Sequence, residues 1–136
     1  MSNNKKIGNT FEQVLCELLY EKGFWVHNLA QNQSGQPADI IAAINSKPYL
    51  IDAKTCSDNK FSLSRIEENQ KLSMELWRDC KNGTGWFAFL IGEEVFMMAY
   101  ANIREMQQTN SSKTVLTLSD IVDKGMTFEK WVLICQ

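Results

Sequence analysis

Apolar residues recur along the chain with two different periods. Between residues 8 and 22, Phe11, Val14, Leu15, Leu18 and Leu19 stand three or four apart, the spacing of one helix face. Asn9 or Thr10 is placed to cap this helix and Gly23 to end it. A first strand is expected over 24–29, then a polar loop over 30–37 (Ala-Gln-Asn-Gln-Ser-Gly-Gln-Pro). Two strands follow, over 38–44 and 48–54, with Asn45-Ser46-Lys47 as a hairpin turn. After a polar stretch at 55–63, Ser64-Arg65-Ile66-Glu67 has the form of a capping box. It predicts a second helix to about Lys81, with Ile66, Met74, Trp77 and Cys80 on its buried side and Leu72 and Leu76 widening that side. Two apolar strands, 85–91 and 94–100, flank Gly92-Glu93. The remainder reads as a short helix near 102–107, a strand near 114–118, a helix near 119–124 capped by Ser119, and a final apolar strand near 129–135. The order helix, three strands, helix, two strands predicts an α/β or α+β domain with a mixed sheet.

The hairpin carries the chemistry. A two- or four-residue loop centred between Asn45 and Ser46 sets Asp39 directly opposite Asp52. Strand side chains alternate, so Asp52 and Lys54 share one face with Asp39 while Ile51 and Ala53 point the other way. Like charges directly opposed on a sheet are destabilising, and an unpaired carboxylate among apolar neighbours is costly. A divalent cation between them would compensate, because hard cations take oxygen ligands. Glu12 lies at the margin of the first helix's apolar stripe, able to reach the sheet if the helix packs there. Each of these acids taken alone also fits an ordinary surface position; the joint arrangement is what points to a site.

Composition adjusts this picture. A length of 136 residues suits one domain. No apolar run approaches the ~20 residues of a membrane span, and the polar start lacks a signal core, so a cytoplasmic protein is expected. Four cysteines without a CxxC pair read as free thiols. The single histidine, His27, excludes a histidine-based metal site and a Ser-His-Asp triad, and reads as structural or as a peripheral phosphate contact. Trp25, Trp77, Trp86 and Trp131 occupy apolar positions and read as core, not as base-stacking platforms. The net charge of −2 runs against the basic footprint of a nucleic-acid protein. Metal-holding carboxylates account for part of it. Local basic groups remain: Lys5 and Lys6, then Lys54, Lys60, Arg65 and Lys71.

Glu12, then Pro37-Ala38-Asp39, then Asp52-Ala53-Lys54 resembles the PD-(D/E)xK nuclease superfamily, with its acid on the first core helix, an acid at one strand and Asp/Glu-x-Lys on the next. Gly8-Asn9-Thr10-Phe11-Glu12 looks like the opening of RecU-type and archaeal Hjc-type Holliday junction resolvases. Tyr49 to Thr55, Phe61-Ser62-Leu63, Gln70 and Glu93-Glu94-Val95-Phe96 resemble the RecU core, and Ser34-Gly35 resembles the Hjc-type loop before the second acid. The likeness spans about residues 5–104, leaving 105–136 as a C-terminal extension without an assigned role. Asp52 stands where these resolvases usually carry glutamate, and only the short loop 30–37 stands where RecU proteins insert a long stalk.

The resemblance implies a restriction-endonuclease-like fold and a metal-dependent DNA endonuclease. Asp39, Asp52 and the Ala53 carbonyl would ligate one or two Mg²⁺ ions, Mn²⁺ being able to substitute, with Glu12 completing the site directly or through water. Lys54 would orient or deprotonate the attacking water, and Gln70 would support the site. Lys5, Lys6, Ser34, Lys60, Arg65 and Lys71 are candidate DNA contacts. A chain with one site that must nick two strands implies a twofold homodimer on four-way junction DNA. Two alternatives stay open: another endonuclease of the superfamily (restriction-like, flap or repair), or a non-catalytic DNA-binding protein of this fold.

Overall fold

The computed structural model describes residues 3–29 and 38–136, with side chains from Thr10 onward. The first helix, α1, runs Asn3–Glu21. It begins before the expected caps, so Asn9 and Thr10 lie inside it. Phe11, Leu15 and Leu19, four apart, are its buried stripe. It ends as expected at Gly23, whose φ of +94° suits a residue without a Cβ. The Phe24 N–H donates to the Leu19 carbonyl there, closing a Schellman-type cap.

Next come β1 (Trp25–Asn28), β2 (Ile40–Ile44) and β3 (Lys47–Cys56), then β4 (Lys60–Ser62), which replaces part of the polar loop expected at 55–63. The helix α2 spans Glu68–Asp79, after a single 3-10 turn at Leu63–Arg65. The capping box expected at Ser64–Glu67 therefore falls one turn early. Glu67 is the N-cap, and its N–H donates to the Gln70 side chain at 3.1 Å. The buried residues of α2 are Gln70 and Met74, with Trp77 packed against the core. Leu72, Leu76 and Cys80, expected on the buried side, are exposed. Then follow β5 (Trp86–Ile91), β6 (Glu94–Ala99), α3 (Tyr100–Thr109), β7 (Val115–Thr117), α4 (Leu118–Lys124), β8 (Met126–Thr127) and α5 (Phe128–Cys135). Thr117, not Ser119, caps α4 by accepting from the Asp120 N–H.

Six strands form one mixed sheet in the order β1-β2-β3-β5-β6-β8, with β3 parallel to β5 and the other neighbours antiparallel. The strands β4 and β7 make a small second sheet. One face of the large sheet buries Ile40, Ala42, Ile51, Ala88 and Met97 against α1 and α5. The other buries Leu50, Phe87, Phe89 and Met98 against α2, α3, α4 and the small sheet. The central strand β5 is covered on both faces, which explains its unbroken apolar run.

The segment 129–135, read as a strand, is helical. Thr127 accepts from the Lys130 N–H, and Phe128, Trp131, Val132 and Cys135 form a buried helical stripe. Fully buried Trp131 stacks on Phe24 at 5.5 Å and meets Tyr49, Trp86 and Phe128. The C-terminal extension thus completes the α1-side core. A Cβ at Gly125, between α4 and β8, would lie 2.5 Å from the Ile121 carbonyl and 2.8 Å from that of Met97. Backbone cannot yield as a side chain can, so Gly125→Ala should cost about 1–3 kcal/mol. A lowered urea midpoint with unchanged m-value would confirm it.

Candidate active site

The β2–β3 hairpin has the expected register. Ile40 faces Ile51 and Ile41 faces Leu50, so the ladder continued by one residue brings Asp39 opposite Asp52. Asn45 and Ser46 both have positive φ, 53° and 68°, the twist of a type I′ turn. Asp39 lies just before β2, yet the pairing reaches it. Its N–H donates to the Ile51 carbonyl at 3.2 Å, and its Oδ2 accepts from the Ala53 N–H at 2.8 Å. The end of β2 is thus held against the middle of β3 through the Asp39 carboxylate itself.

Asp52 is completely buried. Lys54 Nζ lies 3.2 Å from its Oδ2, but among the described residues neither carboxylate oxygen has a partner in hydrogen-bonding geometry. The contact is an ion pair without an aligned N–H. Lys54 directs its ammonium instead to the Arg65 carbonyl at 3.3 Å and Gln70 Oε1 at 3.4 Å. Because Gln70 Oε1 also accepts from the Glu67 N–H, the first turn of α2 fixes the lysine's position. Arg65 is anchored in turn: its Nη1 donates to the Thr55 carbonyl at 2.6 Å and its guanidinium lies over Phe61. This positioning role was not legible in the sequence. It depends on a backbone carbonyl that the 3-10 turn aims at Lys54.

Burial drives the Asp52 carboxyl well above its ordinary pKa, the Asp39 charge pushes it further, and Lys54 only partly opposes them. Glu12, half-buried on α1, is raised to about 7 by burial, by the Asp39 charge and by a hydrogen bond shared with Asp39. The helix has therefore docked where Glu12 meets Asp39. Burial, and after it the Glu12 and Asp39 charges, raises the neighbouring Cys16 thiol to about 11.

These oxygens suit a hard cation. Asp52 presents two buried acceptors without donors, and Asp39 stands beside it. Among the described residues, no three His, Cys, Asp or Glu side chains close a ligand group by themselves. A cation here would draw on backbone carbonyl or water as well, which is ordinary for Mg²⁺. A testable consequence concerns pH. A carboxyl raised in the folded state contributes stability that is complete below its unfolded pKa, 4.5 for Glu12. That contribution is lost as pH rises through the folded value of about 7. Thermal melts without divalent ions should therefore fall between pH 5 and about 8, and Glu12→Gln should flatten the fall.

The other expected contacts separate. Lys60 is exposed on β4 and Lys71 partly exposed on α2, and neither forms an ion pair among the described residues. Lys5 and Lys6 lie in α1, but their side chains, like Ser34, fall outside the described residues. Trp25, expected in the core, is 64% exposed. Trp77, Trp86 and Trp131 pack against or within the core as expected.

A mixed sheet flanked by helices, with opposed acids and a lysine on adjacent strands, defines a nuclease of the PD-(D/E)xK type. The fold is shared with Hjc of Archaeoglobus fulgidus, a Holliday junction resolvase from an archaeal hyperthermophile. The TM-score is 0.69 at 15% identity, covering 93% of this chain and 99% of that one. The model of the RecU family, recombination protein U, matches residues 19–133. The chain belongs to the RecU family of Holliday junction resolvases, endonucleases of recombination. That match extends through the C-terminal segment as well as the hairpin. No curated protein matches the chain in sequence.

Proposed function

We propose that this chain is a single-domain, Mg²⁺-dependent endonuclease that resolves four-way DNA junctions as a twofold homodimer, acting in the cytoplasm. The observation that carries the reading is Asp52, fully buried, with both carboxylate oxygens lacking hydrogen-bond donors among the described residues and Asp39 opposed to it. A folded chain keeps such a pair where a cation is to be held. Asp39, Asp52 and the Ala53 carbonyl would hold the cation, with Glu12 completing the set directly or through water. The cation, when bound, neutralises phosphate charge and lowers the pKa of water.

The chain's own groups do the rest. Lys54, held by Gln70 and the Arg65 carbonyl, orients the attacking water and offsets the negative charge that develops on the phosphate. Asp39 is fixed by the Ala53 N–H, so its geometry is set before DNA arrives. Attack by water needs no covalent intermediate. Lys60, Arg65 and Lys71, with Lys5, Lys6 and Ser34, contact the DNA backbone and position it without reading sequence. None of the described helices is long and apolar enough to cross a membrane.

The reading is tested by incubating the protein with a synthetic four-way junction in Mg²⁺, in Mn²⁺ and in excess chelator. Cleavage in either metal and none in chelator is expected. Cleavage that persists in chelator would rule out the proposed metal requirement.

A further inference from the structure

Among the described residues, the face of the sheet that carries Asp52 and Lys54 is covered only in part. Over β5 and β6 it is packed by α2 and α3. Over β1 and β2 it is more open, with Ile41, Ala43 and Pro48 partly exposed. Trp25 and His27 belong to this same face. They pair with Ala43 and Ile41, which pair in turn with Pro48 and Leu50, and Leu50, Asp52 and Lys54 alternate along one side of β3. Val26, between them, points to the opposite core. The Trp25 and His27 rings stack on one another, with centroids 6.1 Å apart and planes 19° apart, and both residues are exposed.

The pair sits close to the reaction centre. Two strand spacings and two residues of rise put His27 about 12 Å from Asp52 along one surface, and four residues of rise put Trp25 about 17 Å away, about five stacked nucleotides. The two places are also joined through the backbone, since the Leu29 N–H, just beyond β1, donates to the Asp39 carbonyl at 2.8 Å. A solvated indole, stacked on a neighbouring ring and on the same face of the sheet as Asp52, offers a flat apolar surface of the kind nucleobases stack on. Continuous duplex keeps its bases stacked inside; the branch point of a junction does not.

We propose that Trp25, backed by His27, is a stacking platform for an unstacked branch-point nucleobase, so that this edge strand places the scissile phosphate over Asp39 and Asp52. The inference rests on the junction-resolvase reading above. It is tested with the full chain, without divalent ions, on a four-way junction carrying 5-iodouracil at the branch point and on a matched linear duplex. On irradiation the crosslink should map to the Trp25–His27 peptide. Trp25→Ala should weaken junction binding by about tenfold or more and affect linear duplex much less, and Trp25→Phe should restore most of the loss. Trp25 is exposed, so folding of the alanine variant is expected, and circular dichroism checks it. Unchanged junction affinity, equal losses on both DNAs, or crosslinks that map elsewhere would overturn the proposal. So would dissociation of a dimer by Trp25→Ala in sedimentation, which would make the pair a subunit contact. If the wild-type protein itself failed to bind or cut the junction, the resolvase reading would fail first, and that is visible before any variant is compared.

Discussion

Asp52→Asn is expected to lower the single-turnover rate of junction cleavage by about 10³-fold or more while making the metal-free protein more stable. The two effects have one cause. Asp52 is fully buried, has no hydrogen-bond donor on either oxygen among the described residues, and faces the Asp39 charge. Its raised carboxyl contributes stability while protonated, and that contribution disappears as pH rises through its folded pKa. An amide of the same shape carries no charge to be penalised. The melting advantage of Asp52→Asn over wild type should therefore grow with pH. Added Mg²⁺ should raise the wild-type melting temperature, because a ligand that binds only the folded state stabilises it, and should leave the variant nearly unmoved. A variant less stable than wild type at pH 8 without metal would show that Asp52 is there for the fold and not for a cation.

Lys54→Gln should act in the opposite sense on stability and in the same sense on rate. Lys54 is the cation beside Asp52, and its ammonium is also held by Gln70 and Arg65. Removing it leaves a buried carboxylate without its counter-charge, an arrangement that costs up to about 3–5 kcal/mol. The cost should shrink as pH falls and Asp52 takes up a proton. Cleavage should drop about 10²–10³-fold, the usual effect of losing one group that stabilises developing charge. The double variant Asp52→Asn/Lys54→Gln decides how the two are coupled: its stability should lie well above the sum of the single effects. Additive stabilities, measured by urea denaturation at pH 8, would mean that the ion pair contributes nothing to the fold.

Much of this site was legible in the sequence because strand geometry is strict. A side-chain period of two and a turn at Asn45-Ser46 leave one pairing that buries Ile40, Ala42 and Ile51 together, and that pairing opposes Asp39 to Asp52. Glu12 could be named but not placed, since its reach depends on how α1 docks and no local spacing encodes that. Long-range packing also decided the misreadings. The apolar segment at 129–135 suits a strand by composition, but the spacing of Phe128, Trp131, Val132 and Cys135 and the cap at Thr127 make a helix. Leu72 and Leu76 looked like core on α2, yet Gln70 and Met74 define the buried side. Gln70 faces inward because Lys54 and the Glu67 N–H require it. Residue type alone puts Trp25 in the core, but it is exposed. Its alternation with inward-facing Val26 would have placed it outside, on the catalytic face.

The central claim is that this face cuts branched DNA with paired acids and a bound cation. A supercoiled plasmid that extrudes a cruciform tests it most directly. With Mg²⁺, the wild-type chain should nick two opposed strands symmetrically at the cruciform base within one binding event, giving linear plasmid, while a matched plasmid without the cruciform stays intact. Equal cutting of both plasmids, or single unpaired nicks, would contradict the account.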